Sequence, residues 1–240
     1  MKVRLDRMLV ERGLVATREK AQAVIMAGAV LVEGQKAVKS GQSIDSECRI
    51  EVLEQPPFVS RGGIKVAAAI QHFAIRVAGR VCLDIGASNG GFTDCLLQNG
   101  AARVHAVDVG AGQLDWKLLN DSRVVVHEKL NARHLRAEDI GEPVSLAVCD
   151  VSFISVTLIV PAIVPLLQSD GEIVILVKPQ FEAGKGQVGK GGIVREPEIQ
   201  QAACRRVDDA VRQFGFETSL MESPILGAKG NREFLLYGHR

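Results

Sequence analysis

The chain has 240 residues, a formal net charge of +1, 47% hydrophobic and 24% charged residues. That balance excludes wholesale disorder and leaves room for one large α/β domain, or a medium one with a small appendage. No apolar run reaches transmembrane length: the best candidate, residues 154–167, is broken by Ser155, Thr157, Pro161 and Pro165. The charged first twenty residues point away from a signal peptide. Five scattered cysteines (Cys48, Cys82, Cys95, Cys149, Cys204) suggest buried thiols in a reducing, cytoplasmic setting, with no disulfide framework and no metal site.

The first 40 residues carry eight Lys or Arg against four Asp or Glu. Residues 4–13 read as a short helix with Leu5, Met8 and Leu9 on one face and a closing glycine. Thr17 is placed to cap a second helix that Gly28 ends, with Ala21, Val24 and Ile25 as its apolar stripe. Residues 29–32 and 36–38 read as strand, turn and strand, and Cys48, Ile50 and Val52 alternate with polar neighbours as a half-buried strand does. Gln55-Pro56-Pro57 continues neither element and reads as a stiff linker. Beyond it lie apolar runs at 81–85, 104–109, 124–127, 145–150 and 173–178, separated by amphipathic stretches. Continuous apolar strands between helices indicate a parallel sheet covered on both faces. A helix over 197–214 follows, then strands at 218–226 and 233–237. Their link is so short that they must pair antiparallel.

The segment from Val81 to Asp94 runs from strand through a glycine turn into a helix, which lets backbone approach a ligand beside free N–H groups. Its Gly-x-x-x-Gly-Gly spacing is not the nicotinamide fingerprint. Asp84 sits at the strand end, where a carboxylate would repel pyrophosphate but hold an amino group. Asp108 ends the next strand, where an acid commonly grips ribose hydroxyls. The pair fits S-adenosylmethionine better than NAD. Further strand ends carry Asp150 and Lys178, for which a structural ion pair is the plainest account. Lys65 and Glu233 are unremarkable alone. The glycine- and lysine-rich loop 184–192 reads either as a solvated linker or as a lid that touches phosphates.

Seven ordered segments carry a resemblance: 4–6, 60–65, 84–94, 106–110, 150–155, 176–182 and 227–233. Together they resemble the TlyA-type rRNA methyltransferases, often labelled hemolysin A, over essentially the whole chain. Asn89 departs from the threonine common in that cofactor loop. The resemblance implies an α/β, Rossmann-like methyltransferase with a mostly parallel seven-stranded sheet at residues 59–240, of the FtsJ-like kind. It also implies a small N-terminal α+β domain at residues 1–58, the alpha-L RNA-binding domain first described in a small-subunit ribosomal protein. The implied reaction moves a methyl group from S-adenosylmethionine to a ribose 2′-hydroxyl of rRNA. The catalytic tetrad of such enzymes falls on Lys65, Asp150, Lys178 and Glu233. The cofactor positions fall on Asp84, Gly86, Ala87, Ser88, Gly90 and Asp108, with Asn131 toward the adenine.

A ribose hydroxyl is a weak nucleophile, so the protein must align it with the methyl carbon and help its proton leave. Lys178 is expected to orient the hydroxyl and take or stabilise that proton, with Lys65 in support and the carboxylates fixing the lysines. Arg4, Arg7, Arg18 and Lys20, on or beside the two short helices, are the expected RNA contacts. The absence of aromatics before Phe58 speaks against base stacking there. The chain starts three residues before Arg4, as in the short form of the family, which implies a ribosomal partner in which a large-subunit cytidine is the target. The other readings are a noncatalytic RNA-binding assembly factor and a membrane-active hemolysin. Oligomeric state stays open.

Overall fold

The computed structural model describes residues 2–26, 28–37, 39–53, 56–184 and 186–240, with only the backbone of Ala228. The chain forms two compact units, residues 1–56 and 57–240.

The first unit opens with strand β1 (Lys2–Arg4), then helices α1 (Leu5–Glu11) and α2 (Arg18–Met26). Thr17 Oγ1 accepts the Lys20 N–H at 3.2 Å, so it caps α2 as its hydroxyl suggests. Strands β2 (Val30–Val32) and β3 (Gln35–Lys36) form a hairpin across Glu33 and Gly34, both at positive φ. The expected second strand ran on to Val38, which lies outside the described residues, as does Gln55 of the linker. Strands β4 (Ser43–Asp45) and β5 (Ile50–Val52) pair with β1 and β2 respectively. Cys48 precedes β5 rather than lying in it. Leu5, Met8, Leu9, Ala21, Ile25, Val30, Ala37 and Ile44 make the core of this unit.

In the second unit, helix α3 (Gly62–His72) leads into alternating strands and helices: β6 (Val81–Ile85), α4 (Gly91–Gln98), β7 (Arg103–Val107), α5 (Trp116–Leu119), β8 (Val124–His127), α6 (Ala137–Ile140), β9 (Val144–Cys149), α7 (Val160–Ile163) and β10 (Leu167–Val177). Helices α8 (Pro179–Glu182) and α9 (Pro197–Arg212) and strands β11 (Glu217–Glu222) and β12 (Phe234–His239) complete it. The sheet order is β11-β12-β10-β9-β6-β7-β8, and β12 alone runs against the other six strands.

Side chains alternate between two cores. Leu83, Ile85, Ala147, Cys149, Ile173 and Ile175 enter one, while Cys82, Leu146, Val148, Val174 and Leu176 enter the other. A sheet buried on both faces needs apolar residues at every position, which is why its strands read as continuous runs. The strands end together, so the loops after β6, β7, β9 and β10 gather at one edge of the sheet. That edge holds the chemistry.

Candidate active site

Two adjoining cavities open at the carboxyl ends of these strands, where ligands of open α/β sheets bind. The first, about 630 Å³, is lined by Lys65, Asp150, Lys178 and Glu233 together with Ala87, Ser88 and Gly91. The second, about 460 Å³, is lined by Asp108, Gln113, Leu130 and Asn131. Gly86, Ser88, Asp150, Ser152 and Phe153 border both.

The four expected catalytic side chains arrive from four elements and meet as two ion pairs. Lys65, on the buried face of α3, donates to Glu233 Oε2 at 2.6 Å. Gly227 makes room for that carboxylate, since a Cβ there would stand 1.8 Å from Glu233 Oε1. Lys178 Nζ lies 2.5 Å from Asp150 Oδ1, an ionic contact, and donates a well-formed hydrogen bond to Ser152 Oγ at 2.8 Å. Both lysine side chains are 11% exposed, so each pair sits in the low-dielectric setting where charge pairing is strong.

The cofactor positions divide. Asp108 accepts the Ser88 N–H at 2.8 Å and the Gly110 N–H at 2.7 Å, one on each oxygen, which leaves a lone pair on each for a hydroxyl donor. Asn131 Oδ1 accepts the Arg133 N–H at 3.1 Å and starts a short 3₁₀ turn on the cavity wall. Gly86 sits at φ +82° with its Cα hard against the Asp150 carbonyl, where a Cβ would come within 2.3 Å. Gly90 lines neither cavity: it caps α4 at φ +90°, pressed on Leu114 and Leu118. Asp84 also departs from expectation. Strand alternation turns its side chain beneath α4, where it is fully buried and receives the Thr93 hydroxyl at 2.6 Å, so it supports the turn instead of facing the cavity. Its Oδ1 is buried with no hydrogen-bond partner, and burial pushes its carboxyl up to about 7.

Sequence reasoning passed over several wall residues. Phe153 is 93% exposed at φ +65°, with its ring 5.3 Å from that of Phe181. An aromatic so displayed, in a backbone region costly for a bulky residue, marks the site in the structure, and no sequence pattern announces it. Gln180 lines the first cavity with its Oε1 buried and unpartnered. Asn231 accepts the Val194 N–H and donates to the Gly192 carbonyl, binding the end of the 184–192 loop to the site. In that loop Val188, Gly191 and Gly192 reach the cavity, and Lys185 lies outside the described residues.

In the first unit, Arg4 grips Asp6 with two hydrogen bonds of 3.1 and 2.8 Å, while Arg18 and Gln22 donate to the same carboxylate. Asp6 is fully buried, yet about half of each arginine side chain stays exposed. Arg7 bonds Glu11 at 2.6 Å on the outer face of α1, and Lys20 is exposed on α2.

The sequence pattern of FtsJ-like methyltransferases matches residues 58–240. The chain belongs to the FtsJ-like methyltransferase family. Preceding that FtsJ-like region, the S4 domain pattern matches residues 3–47. The chain is 46% identical over 239 residues to the 16S/23S rRNA (cytidine-2′-O)-methyltransferase TlyA of Mycobacterium tuberculosis, covering 98% of this chain and 89% of that one. It is 44% identical over 237 residues to Hemolysin A of Brachyspira hyodysenteriae, covering 98% and 99%. A solved structure from Streptococcus thermophilus, provisionally labelled a hemolysin, is 43% identical with a TM-score of 0.76 and covers 100% of this chain and 88% of that one. Among FtsJ-like methyltransferases, this one falls in the TlyA group. Among the described residues no helix is long and apolar enough to cross a membrane.

Proposed function

We propose that this chain methylates the 2′-hydroxyl of a cytidine in rRNA, with S-adenosylmethionine as donor and the large subunit as substrate. The observation that carries the reading is the pairing of Lys178 with Asp150 and Lys65 with Glu233 on the wall of one cavity, beside a groove that holds Asp108. The activity for which the mycobacterial relative is named supports the reaction and the nucleoside. A cytoplasmic location follows from such a substrate.

The residues present fit the cofactor. Asp108 retains acceptors for ribose hydroxyls, Asn131 borders the adenine end of the groove, and Ala87 and Ser88 lie on the side toward the tetrad. S-adenosylmethionine supplies a methyl group already activated on sulfonium. The protein's own task is alignment of the 2′-oxygen, which accounts for up to roughly 7–11 kcal/mol of a barrier in well-oriented systems. Lys178, held by Asp150 and Ser152, would point an ammonium donor at the hydroxyl and steady the oxygen as its proton passes to solvent water. Lys65 and Glu233 line the same cavity as a second fixed pair. Phe153 offers a face for the base of a nucleotide drawn out of its stack, and the orphaned Gln180 oxygen offers it an acceptor. Residues 1–58 serve as the RNA-binding domain and 59–240 as the catalytic one, with Arg4, Arg7, Arg18 and Lys20 toward phosphates.

An assembly factor without catalysis would have no use for two lysine–carboxylate pairs, one buried and one half-buried, beside a cofactor groove. The hemolysin label belongs to a relative, and among the described residues no helix is long and apolar enough to cross a membrane. The test offers purified small and large subunits from an unmethylated strain with labelled cofactor, then maps the methylated ribose. Label on a large-subunit cytidine is expected. Binding of the cofactor with no transfer to either subunit would leave the assembly-factor reading, and comparable label on the small subunit would remove the large-subunit restriction.

A further inference from the structure

The two catalytic groups that pair most closely stand on different loops. Asp150 follows β9 and Lys178 follows β10. After the Asp150 N–H bonds the Ile85 carbonyl at 2.8 Å, the chain runs through Ser152, whose hydroxyl accepts from Lys178, and the strained Phe153, whose ring meets Phe181, to a further anchor. That anchor is Glu182, the last residue of α8. Its Oε2 accepts the Ser155 hydroxyl at 2.5 Å and its Oε1 accepts the Val156 N–H at 2.8 Å. Ser155 in turn shares a hydrogen bond of 2.7 Å with Thr157. On the other side, the Glu182 carbonyl accepts from Arg206 of α9 at 2.7 Å.

Glu182 is 3% exposed, and among the described residues its carboxylate hydrogen-bonds to neutral donors, with the Arg206 charge acting on it without a hydrogen bond to the carboxylate. Burial pushes its carboxyl up, against the opposing hydrogen bonds from Ser155 and Val156. Such a carboxylate costs more to bury than an apolar side chain of its size. What it provides is a two-point tie. Helix α8 is a single turn that starts on Pro179, immediately after Lys178, so a shift of Glu182 is passed to Lys178 without a flexible joint between them.

We propose that Glu182 is a positioning residue for methyl transfer. It clamps the loop carrying Asp150, Ser152 and Phe153 onto the helix carrying Lys178, and so sets the lysine where the hydroxyl must lie. The inference rests on the proposed function.

The test is a double-mutant cycle in the full chain, using E182Q, S155A and the pair together. Turnover on unmethylated subunits, cofactor Kd by calorimetry and Tm are measured for each. Both single variants should lower kcat by about tenfold to 10²-fold, the loss that misplacement near 1 Å produces. Cofactor Kd should stay within about twofold, and the double variant should be no slower than E182Q alone, because both changes cut the same tie. Singles with kcat within about twofold of wild type overturn the proposal, as do losses that multiply, or a Kd that weakens in step with kcat. Should E182Q fail to fold, S155A decides alone, since it removes one hydroxyl and no buried charge. A wild-type chain that transfers no methyl group overturns the function itself, and this inference with it.

Discussion

In the first unit Asp6, and in the second Asp84, are both fully buried, yet their carboxyls are driven in opposite directions. Asp6 meets two guanidiniums and an amide, and the hydrogen bond from Arg4 leads in holding it well below the usual carboxylate range. Asp84 meets one hydroxyl, and burial pushes it up to about 7, with the charges of Asp150 and Asp108 adding to the rise. Both side chains are closed to solvent, but Asp84 lies far deeper in the protein, so burial leads for Asp84 and the Arg4 partner leads for Asp6. The contrast extends to what each region can bind. The Asp6 cluster leaves guanidinium surface in excess, which suits a polyanion. The cavity edge, with Asp108 and Asp150 against Lys178, leaves carboxylate in excess, which suits a cofactor carrying sulfonium and ammonium charge.

Removing the cation from the carboxylate-rich edge should give the largest effect. Lys178→Ala leaves Asp150 without its partner at 2.5 Å and the hydroxyl without its donor. Transfer should fall by about 10²–10⁴-fold while RNA binding and the circular dichroism spectrum stay as in wild type. Turnover within a few-fold of wild type would remove Lys178 from the reaction.

Asp84→Asn sharpens the comparison through pH. A carboxyl that titrates at about 7 when folded and near ~3.9 when unfolded stabilises the fold only while protonated. Wild-type stability should therefore drop as pH rises from ~4 to about 7, by up to roughly 4 kcal/mol. The amide keeps an acceptor for Thr93 and does not ionise. Its Tm should exceed that of wild type at pH 8, with the gap closing toward pH 4. A variant less stable than wild type at pH 8 would mean that Asp84 is an ordinary ionised carboxylate.

Asp6→Asn should show the opposite sign. The lowered pKa of Asp6 gives stability that is present above the unfolded value of ~3.9 and lost as pH falls below it. The variant should be less stable than wild type at pH 7 by about 1–2 kcal/mol, the strength of a charged hydrogen bond reduced by screening of half-exposed arginines. Urea unfolding at pH 7 and pH 3 measures it: the difference must shrink at the lower pH.

The large sheet was legible because both of its faces are buried, so β6, β9 and the 173–177 half of β10 read as apolar runs, while the polar first half of β10, residues 168–172, went unread as strand. Strands β1 and β4 were not, since three residues carry no usable period and their pairing of Lys2 with Asp45 spans 43 positions of chain. The tetrad shows the same limit. Lys65 and Glu233 are 168 positions apart, and nothing local to either marks a site; only the ordered family motifs joined them. Asp84 was misplaced although the signal was there: Leu83 and Ile85 share one face, so Asp84 had to turn to the other, under α4. Phe153 and Glu182 went unread because a positive φ and a cross-loop tie exist only in three dimensions.

The smallest expected effect separates cations that organise the first unit from cations that merely decorate it. Arg7 is exposed and, among the described residues, bonds Glu11 alone, one turn along α1, an arrangement that adds little to stability. Arg7→Ala should leave Tm unchanged, and if Arg7 meets a phosphate, the slope of log affinity against log salt should shrink by about one. Arg4→Ala should shrink the slope similarly but also lower Tm, because it strips two of the hydrogen bonds that keep buried Asp6 ionised. Both variants are read by filter binding to an rRNA fragment across a salt series, with thermal unfolding alongside. An unchanged slope for Arg7→Ala would take α1's outer face out of the RNA contact. An unchanged Tm for Arg4→Ala would show that Arg18 and Gln22 alone can hold Asp6, and the two arginines would then be independent contacts and not one clamp built on a shared carboxylate.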